Sequence, residues 1–221
     1  FTPYDWELLE LDDLDLGSTG LLLIPGTHFG VAGGKGGKIY AVDTDNMGGL
    51  ASSGSAADAV VQSFNLNTPH YMHGTPLYWD GPNGRRVFTW ANQDHLKSFP
   101  FNGEGCEIGS NVLDTNNVEV GAMQADYGAF LTLSADGAVP GSAVLWASLP
   151  NSGYANQEVR PGILRAFDAA DVSRELWNNR AGWFSSDNCG DFAKFVPPTV
   201  ANGKVYLASF SKQLCVYGLL E

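Results

Sequence analysis

Positive charge is scarce in this chain: 12 Lys and Arg stand against 24 Asp and Glu, a formal net charge of −12 over 221 residues. Such a surface repels phosphate backbones, which argues against nucleic acid as a partner. Long apolar runs are missing too. None approaches the roughly eighteen residues of a membrane-spanning helix, so no membrane span is expected. There is no Cys-x-x-Cys-His haem attachment site and no Gly-x-Ser-x-Gly elbow; Gly17-Ser-Thr-Gly20 and Gly54-Ser55 lack the flanking strand and helix. Gly33-Gly-Lys-Gly-Gly37 lacks the Gly-Lys-Ser/Thr ending of a phosphate loop and reads as a hairpin turn. No calcium loop of the helix–loop–helix type is present, and the acidity reads as solubility. Helices of three or more turns are also absent, although Ala51–Gln62 suits a short helix or a loop equally well.

What remains is rich in strand formers. Hydrophobic residues make up 44% of the chain and aromatics 12%, with 27 glycines as punctuation. β-Branched and aromatic residues alternate with polar ones between Gly, Pro, Asn and Asp clusters, which predicts an all-β fold. One strand signature recurs. Gly162-Ile-Leu-Arg-Ala-Phe-Asp168 is echoed by Gly37–Asp43, Asp94–Pro100 and Lys212–Gly218, and such recurrence marks a repeat architecture. Four strands per unit give a consistent parse. The first unit opens with a strand near Leu8–Leu16. Later units open with Val60–Phe64, Val118–Val120 and Glu175–Trp177. Asp80-Gly-Pro-Asn-Gly84 and Ala201-Asn-Gly203 are the expected hairpin turns.

The run Asp168-Ala-Ala-Asp-Val-Ser-Arg-Glu-Leu-Trp177 resembles the repeat of quinoprotein-type (PQQ-like) β-propellers. Asp168, Ala169, Leu176 and Trp177 are the matching positions, and Phe195–Ser209 resembles the next two strands of the same blade. The resemblance implies a β-propeller of four-stranded antiparallel blades, about four in this chain. They form a single domain or half-propeller, with blades near 1–47, 58–102, 116–171 and 172–221. Larger rings are usual for this repeat. The chain opens on Phe1 as a mature, trimmed or partial product would, so either upstream blades or a second arc in a homodimer would complete the ring.

In propellers the loops entering the second strand of each unit shape a funnel at the axis. That logic selects Lys35, His73, Lys194 and Phe195 as ligand-binding candidates, with Tyr71 and Trp79 near by. His73 before Gly-Thr-Pro and Lys194 before Phe195-Val-Pro-Pro occupy equivalent places in neighbouring repeats. The same residues would also serve a water-lined channel. His70-Tyr-Met-His73 lies on a loop leading into a strand, where positions three apart face opposite ways, so no metal site is assigned. Cys215 reads as a small core residue, whereas Cys106 and Cys189, in Gly-rich loops, could pair in an oxidising compartment. The expected location is extracellular or periplasmic.

Two functions follow from the resemblance. One is a scaffold or binding module taking a small ligand or a protein. The other is part of a quinone-dependent alcohol or sugar dehydrogenase, for which PQQ and calcium would be the cofactors. No Glu/Asn/Asp set and no adjacent Cys-Cys pair maps onto the site of such enzymes, so the binding module is preferred.

Overall fold

The computed structural model describes residues 1–50, 58–66, 71–103, 107–109, 114–120 (backbone only), 128–180 and 187–218. Four antiparallel sheets follow one another along the chain. The first holds β1 (Leu22–Leu23), β2 (Phe29–Gly33), β3 (Lys38–Asp43) and β4 (Gln62–Asn65) in that order. The second holds β5 (Leu77–Gly81), β6 (Gly84–Thr89) and β7 (Asp94–Asn102), with β8 (Glu107–Ile108) and β9 (Asp114–Val120) both pairing with β7. The third contains β10 (Phe130–Ser134), β11 (Val144–Pro150), β12 (Gly162–Asp168) and β13 (Asp171–Asn178). The fourth contains β14 (Thr199–Ala201), β15 (Lys204–Ala208) and β16 (Leu214–Tyr217), three strands among the described residues.

Turn chemistry fixes the hairpins. Asn202 and Gly203 both take positive φ (51° and 69°), the mirror-image turn whose twist matches a two-residue hairpin. The Asp168 carboxylate accepts the Ala170 N–H at 2.9 Å, closing the turn between β12 and β13. Trp177 then pairs with Ala166.

The strand expected over Leu8–Leu16 is instead a helix, α1 (Trp6–Leu11), followed by one 3₁₀ turn at Leu16–Ser18. Trp6 with Leu9, and Leu8 with Leu11, stand three apart, a helical spacing that outweighs the short alternation further on. The strands expected to open the second, third and fourth units pair with the sheet before them: β4 lies on β3, β9 on β7 and β13 on β12. A two-residue turn holds β13 to β12, whereas longer connections return β4 to β3 and β9 to β7. Each sheet therefore starts one strand later than expected, at β1, β5, β10 and β14. Residues 51–57, within the segment read as helix or loop, lie outside the described residues, as do His70 and Cys106.

The core is a series of sheet-to-sheet contacts. Val31, Ile39 and Ala41 of the first sheet pack against Val87, Phe99 and Phe101 of the second. Trp79, Phe88, Trp90 and Leu96 of the second meet Leu145, Leu149, Ile163 and Phe167 of the third. Trp146 and Trp177 of the third meet Val205, Leu207 and Tyr217 of the fourth, the Trp177 ring lying 6.3 Å from Trp146 and 5.5 Å from Tyr217. Each such buried side chain contributes about 1.5–3 kcal/mol. Innermost strands are neighbours: β10 runs beside β5 on one side and β14 on the other. Glycine permits this closeness at Gly74, just ahead of β5, where a Cβ would lie 2.3 Å from the carbonyl oxygen of Ala129 beside β10.

Cys189 bonds to Cys215, with Cα atoms 5.9 Å apart, so Cys215 is not a lone core thiol and Cys189 does not pair with Cys106. The loop carrying Cys189 lies under the fourth sheet, beside Val205 and Leu207, and that packing brings it to β16.

Candidate functional site

The segments entering β1, β5 and β14 meet the β2–β3 hairpin and the β11–β12 connection at one end of the sheets. Between them lies a cavity of about 520 Å³ lined by Asp12, Asp13, Asp15, Lys35, Tyr71, His73, Asn156 and Phe195, with Gly17 and Ser18. Four loop regions of the chain contribute to it besides the hairpin of the first sheet.

Lys35 sits at the tip of the β2–β3 hairpin. Its backbone N–H donates to the Asp15 carbonyl at 3.1 Å, and a Cβ on the adjacent Gly34 would stand 2.9 Å from that same oxygen. The acidic segment is thereby pinned on the hairpin. The Lys35 ammonium bridges Asp15 at 2.6 Å and Asp13 at 3.0 Å. The Asp15 carboxylate holds the Lys35 pKa above its ordinary value of 10.5, aided by Asp13 and opposed by partial burial. The ammonium is thus fixed in its charged form. Asp13 adopts φ 56°, a left-handed conformation that turns the chain so that both carboxylates reach it.

Tyr71 and His73 flank Met72, which is buried in the first core cluster and holds the loop down. The Met72 N–H donates to Gly34 at 3.3 Å, its carbonyl accepts the Ser18 hydroxyl at 2.8 Å, and the Tyr71 carbonyl accepts the Asn92 N–H at 2.9 Å. His73 meets Phe195 edge-on, ring centroids 5.9 Å apart. Phe195 also sits at positive φ (62°), is 56% exposed, and touches Phe130 edge-on at 5.8 Å. Behind it Phe130 stacks on Phe192.

Of the six residues selected from sequence, Lys35, Tyr71, His73 and Phe195 line this cavity. Lys194 is directed elsewhere: its ammonium donates to the Asn156 carbonyl, and it lines a neighbouring groove with Val159, Phe195 and Phe210. Trp79 is buried between the second and third sheets, its indole N–H donating to the Gly137 carbonyl at 3.3 Å. His73 and Phe195 each precede their innermost strand by four residues, so Phe195, not Lys194, is the counterpart of His73. Sequence reasoning missed Asp12, Asp13, Asp15 and Asn156. The Asp-Asp-x-Asp run was visible, but reading its surroundings as a strand hid that it forms a wall.

No protein-family model and no curated protein matches the sequence. Solved structures do. The chain is similar to the computationally designed Ika4 protein at 12% identity and TM-score 0.50, covering 93% of this chain and 98% of that one. It is similar to the Myceliophteria thermophila Cps50 (Swd1) beta-propeller domain at 8% identity and TM-score 0.52, over 91% of this chain and 54% of that one. The fold is a β-propeller. BamB from Moraxella catarrhalis is also similar, at 15% identity and TM-score 0.46, over 91% of this chain and 57% of that one. The chain spans about half the length of the Swd1 chain and nearly all of Ika4. The four sheets are therefore blades, and the cavity lies where their inner loops converge.

Proposed function

We propose that this propeller is a binding module that takes a small neutral or positively charged ligand, rich in hydroxyl or amine donors, at the inner-loop cavity. The observation that carries this is convergence: Lys35, Tyr71, His73 and Phe195, separated along the sequence, share one cavity with three aspartates. Carboxylates accept hydrogen bonds from hydroxyls and amines, and the rings of Tyr71 and Phe195 offer faces for an apolar edge or a cation. Titration calorimetry with a panel of neutral monosaccharides and primary amines tests it. A binding heat that falls at least tenfold in affinity with Phe195→Ala supports the reading. Heats absent across the panel, or indifferent to both Phe195→Ala and Lys35→Met, abandon it.

The dehydrogenase reading rests on the repeat alone. Pyrroloquinoline quinone is an anionic tricarboxylate, whereas the cavity wall offers three carboxylates and one ammonium already bridged by two of them. Among the described residues no group of three metal-ligating side chains stands together. These residues do not fit a quinone held through calcium. The Cys189–Cys215 bond supports an extracellular or periplasmic location, where disulfides persist. In this reading the four blades are an open arc within a larger ring, which a second copy completes.

A further inference from the structure

We propose that the outer face of the fourth sheet docks on the N-terminal layer of a second copy of this chain, and that two such contacts close a ring. The inference rests on the open-arc reading above and names the surfaces that would join.

Each middle sheet buries both faces. The fourth buries only one: Val205, Leu207, Cys215 and Tyr217 point to the third sheet. On its other face Tyr206 pairs with Val216 and Ala208 with Leu214. That face is open, Leu214 being 65% exposed and Val216 50%. Those two side chains alternate along β16 with the partly buried Cys215 and Tyr217, so β16 is apolar on both faces, as a strand covered on both sides is.

At the other end of the arc the first sheet is covered by the chain's own N-terminus. Phe1 packs on Tyr40 with centroids 5.3 Å apart, Lys38 lies over the Tyr4 and Tyr40 rings, and Leu9 rests near Gly36. Yet α1 buries none of its own residues. Trp6, Leu8 and Leu11 are exposed, as are Leu21 and Leu23 at β1 of the first sheet. The second sheet, by contrast, exposes no large hydrophobic residue among those described. Large apolar side chains are thus exposed at both ends of the arc, where they offer interaction surfaces.

Charge selects the occupant. The N-terminal layer carries Glu7, Glu10 and Asp12, all exposed. The fourth-sheet face carries Lys204 on β15 and Lys212 in the β15–β16 turn, both exposed and in no ion pair among the described residues. An apolar, basic face and an apolar, acidic one at opposite ends of one molecule are complementary to each other. A second copy satisfies both at once, a head-to-tail contact that ends when the ring closes.

Sedimentation velocity on the full chain at micromolar concentration tests the proposal. The expected species has twice the 23.6 kDa chain mass. Leu214→Glu with Val216→Glu is expected to yield monomer with an unchanged far-ultraviolet circular dichroism spectrum, both positions being exposed in the single chain. A charge exchange then separates this contact from others. Lys204→Glu alone and Glu7→Lys with Glu10→Lys alone should each weaken self-association about tenfold, roughly the effect of 1.4 kcal/mol, and an equimolar mixture of the two variants should recover it. A strict monomer at all concentrations, an open polymer, or a dimer insensitive to the N-terminal exchange overturns the proposal. The monosaccharide and amine titrations, repeated on the monomeric variant, report on the cavity separately.

Discussion

At the scale of single residues, several side chains hold their charge state by where they are placed. Burial pushes the Tyr217 phenol above its ordinary value of 10.0, and its hydroxyl donates to the Asp187 carbonyl at 2.8 Å, a bond that ionisation would destroy. Burial likewise raises Tyr40, with the Asp5 and Asp58 carboxylates adding to it, and raises Tyr78. Lys35 is raised by Asp15. All four shifts have the same sign. A group whose pKa is higher in the fold than in the unfolded chain stabilises the fold fully below its unfolded value, and that stability is lost as pH rises through the folded value. The expected result is a melting temperature that falls as pH rises beyond about 10, where these groups begin to lose their protons. Tyr217→Phe should blunt the fall. Tyrosinate absorbance measured during the same alkaline titration checks it, since ionisation ahead of unfolding would contradict the assignment.

Among the elements, hairpins were the most readable from the sequence. Asn202-Gly203 and the Gly33–Gly37 and Asp80–Gly84 turns lie where their residues placed them, because a left-handed φ or a tight turn is a local demand that few residues meet. Membership of strands in sheets was less readable. Glu175–Trp177 has the same composition whether it pairs backward with β12 or forward with β14. Pairing is decided by loop length and by Trp177 packing between Trp146 and Tyr217, which the sequence does not display. The site shows the same division. Lys35, Tyr71, His73 and Phe195 follow from repeat position, whereas Asp13 and Asp15 depend on how α1 delivers the chain to the hairpin. The disulfide was illegible for a related reason: Cys189 and Cys215 are 26 residues apart and meet only because a loop tucks beneath a sheet. That link has a measurable consequence. A closed loop of this length contributes about 3 kcal/mol through the unfolded chain. Reduction, or Cys215→Ser, should lower the melting temperature by several degrees with the first three sheets keeping their spectrum. A melting curve unchanged by reductant would mean that the bond adds nothing.

Over the whole molecule, stability is distributed along the series of four sheets. The second and third sheets are each packed on both faces, and the first is covered on its second face by the N-terminal layer. The fourth has one partner, three described strands and an uncovered face. In a chain of units that stabilise their neighbours, a unit with one interface opens at lower cost than a unit with two. Amide hydrogen exchange should therefore be slowest in β7, β11 and β12 and fastest in β15 and β16, although all of these are regular strands. Reduction of Cys189–Cys215 should steepen that gradient, because it frees the loop that ties β16 down. Self-association through the fourth-sheet face should flatten it, since a docked copy supplies the missing neighbour. Exchange of β16 amides that slows with protein concentration, but not in the Leu214→Glu, Val216→Glu variant, would connect the gradient to assembly. Uniform protection across all four sheets in the monomer would show that they unfold as one unit and that the first and fourth are no weaker than the second and third.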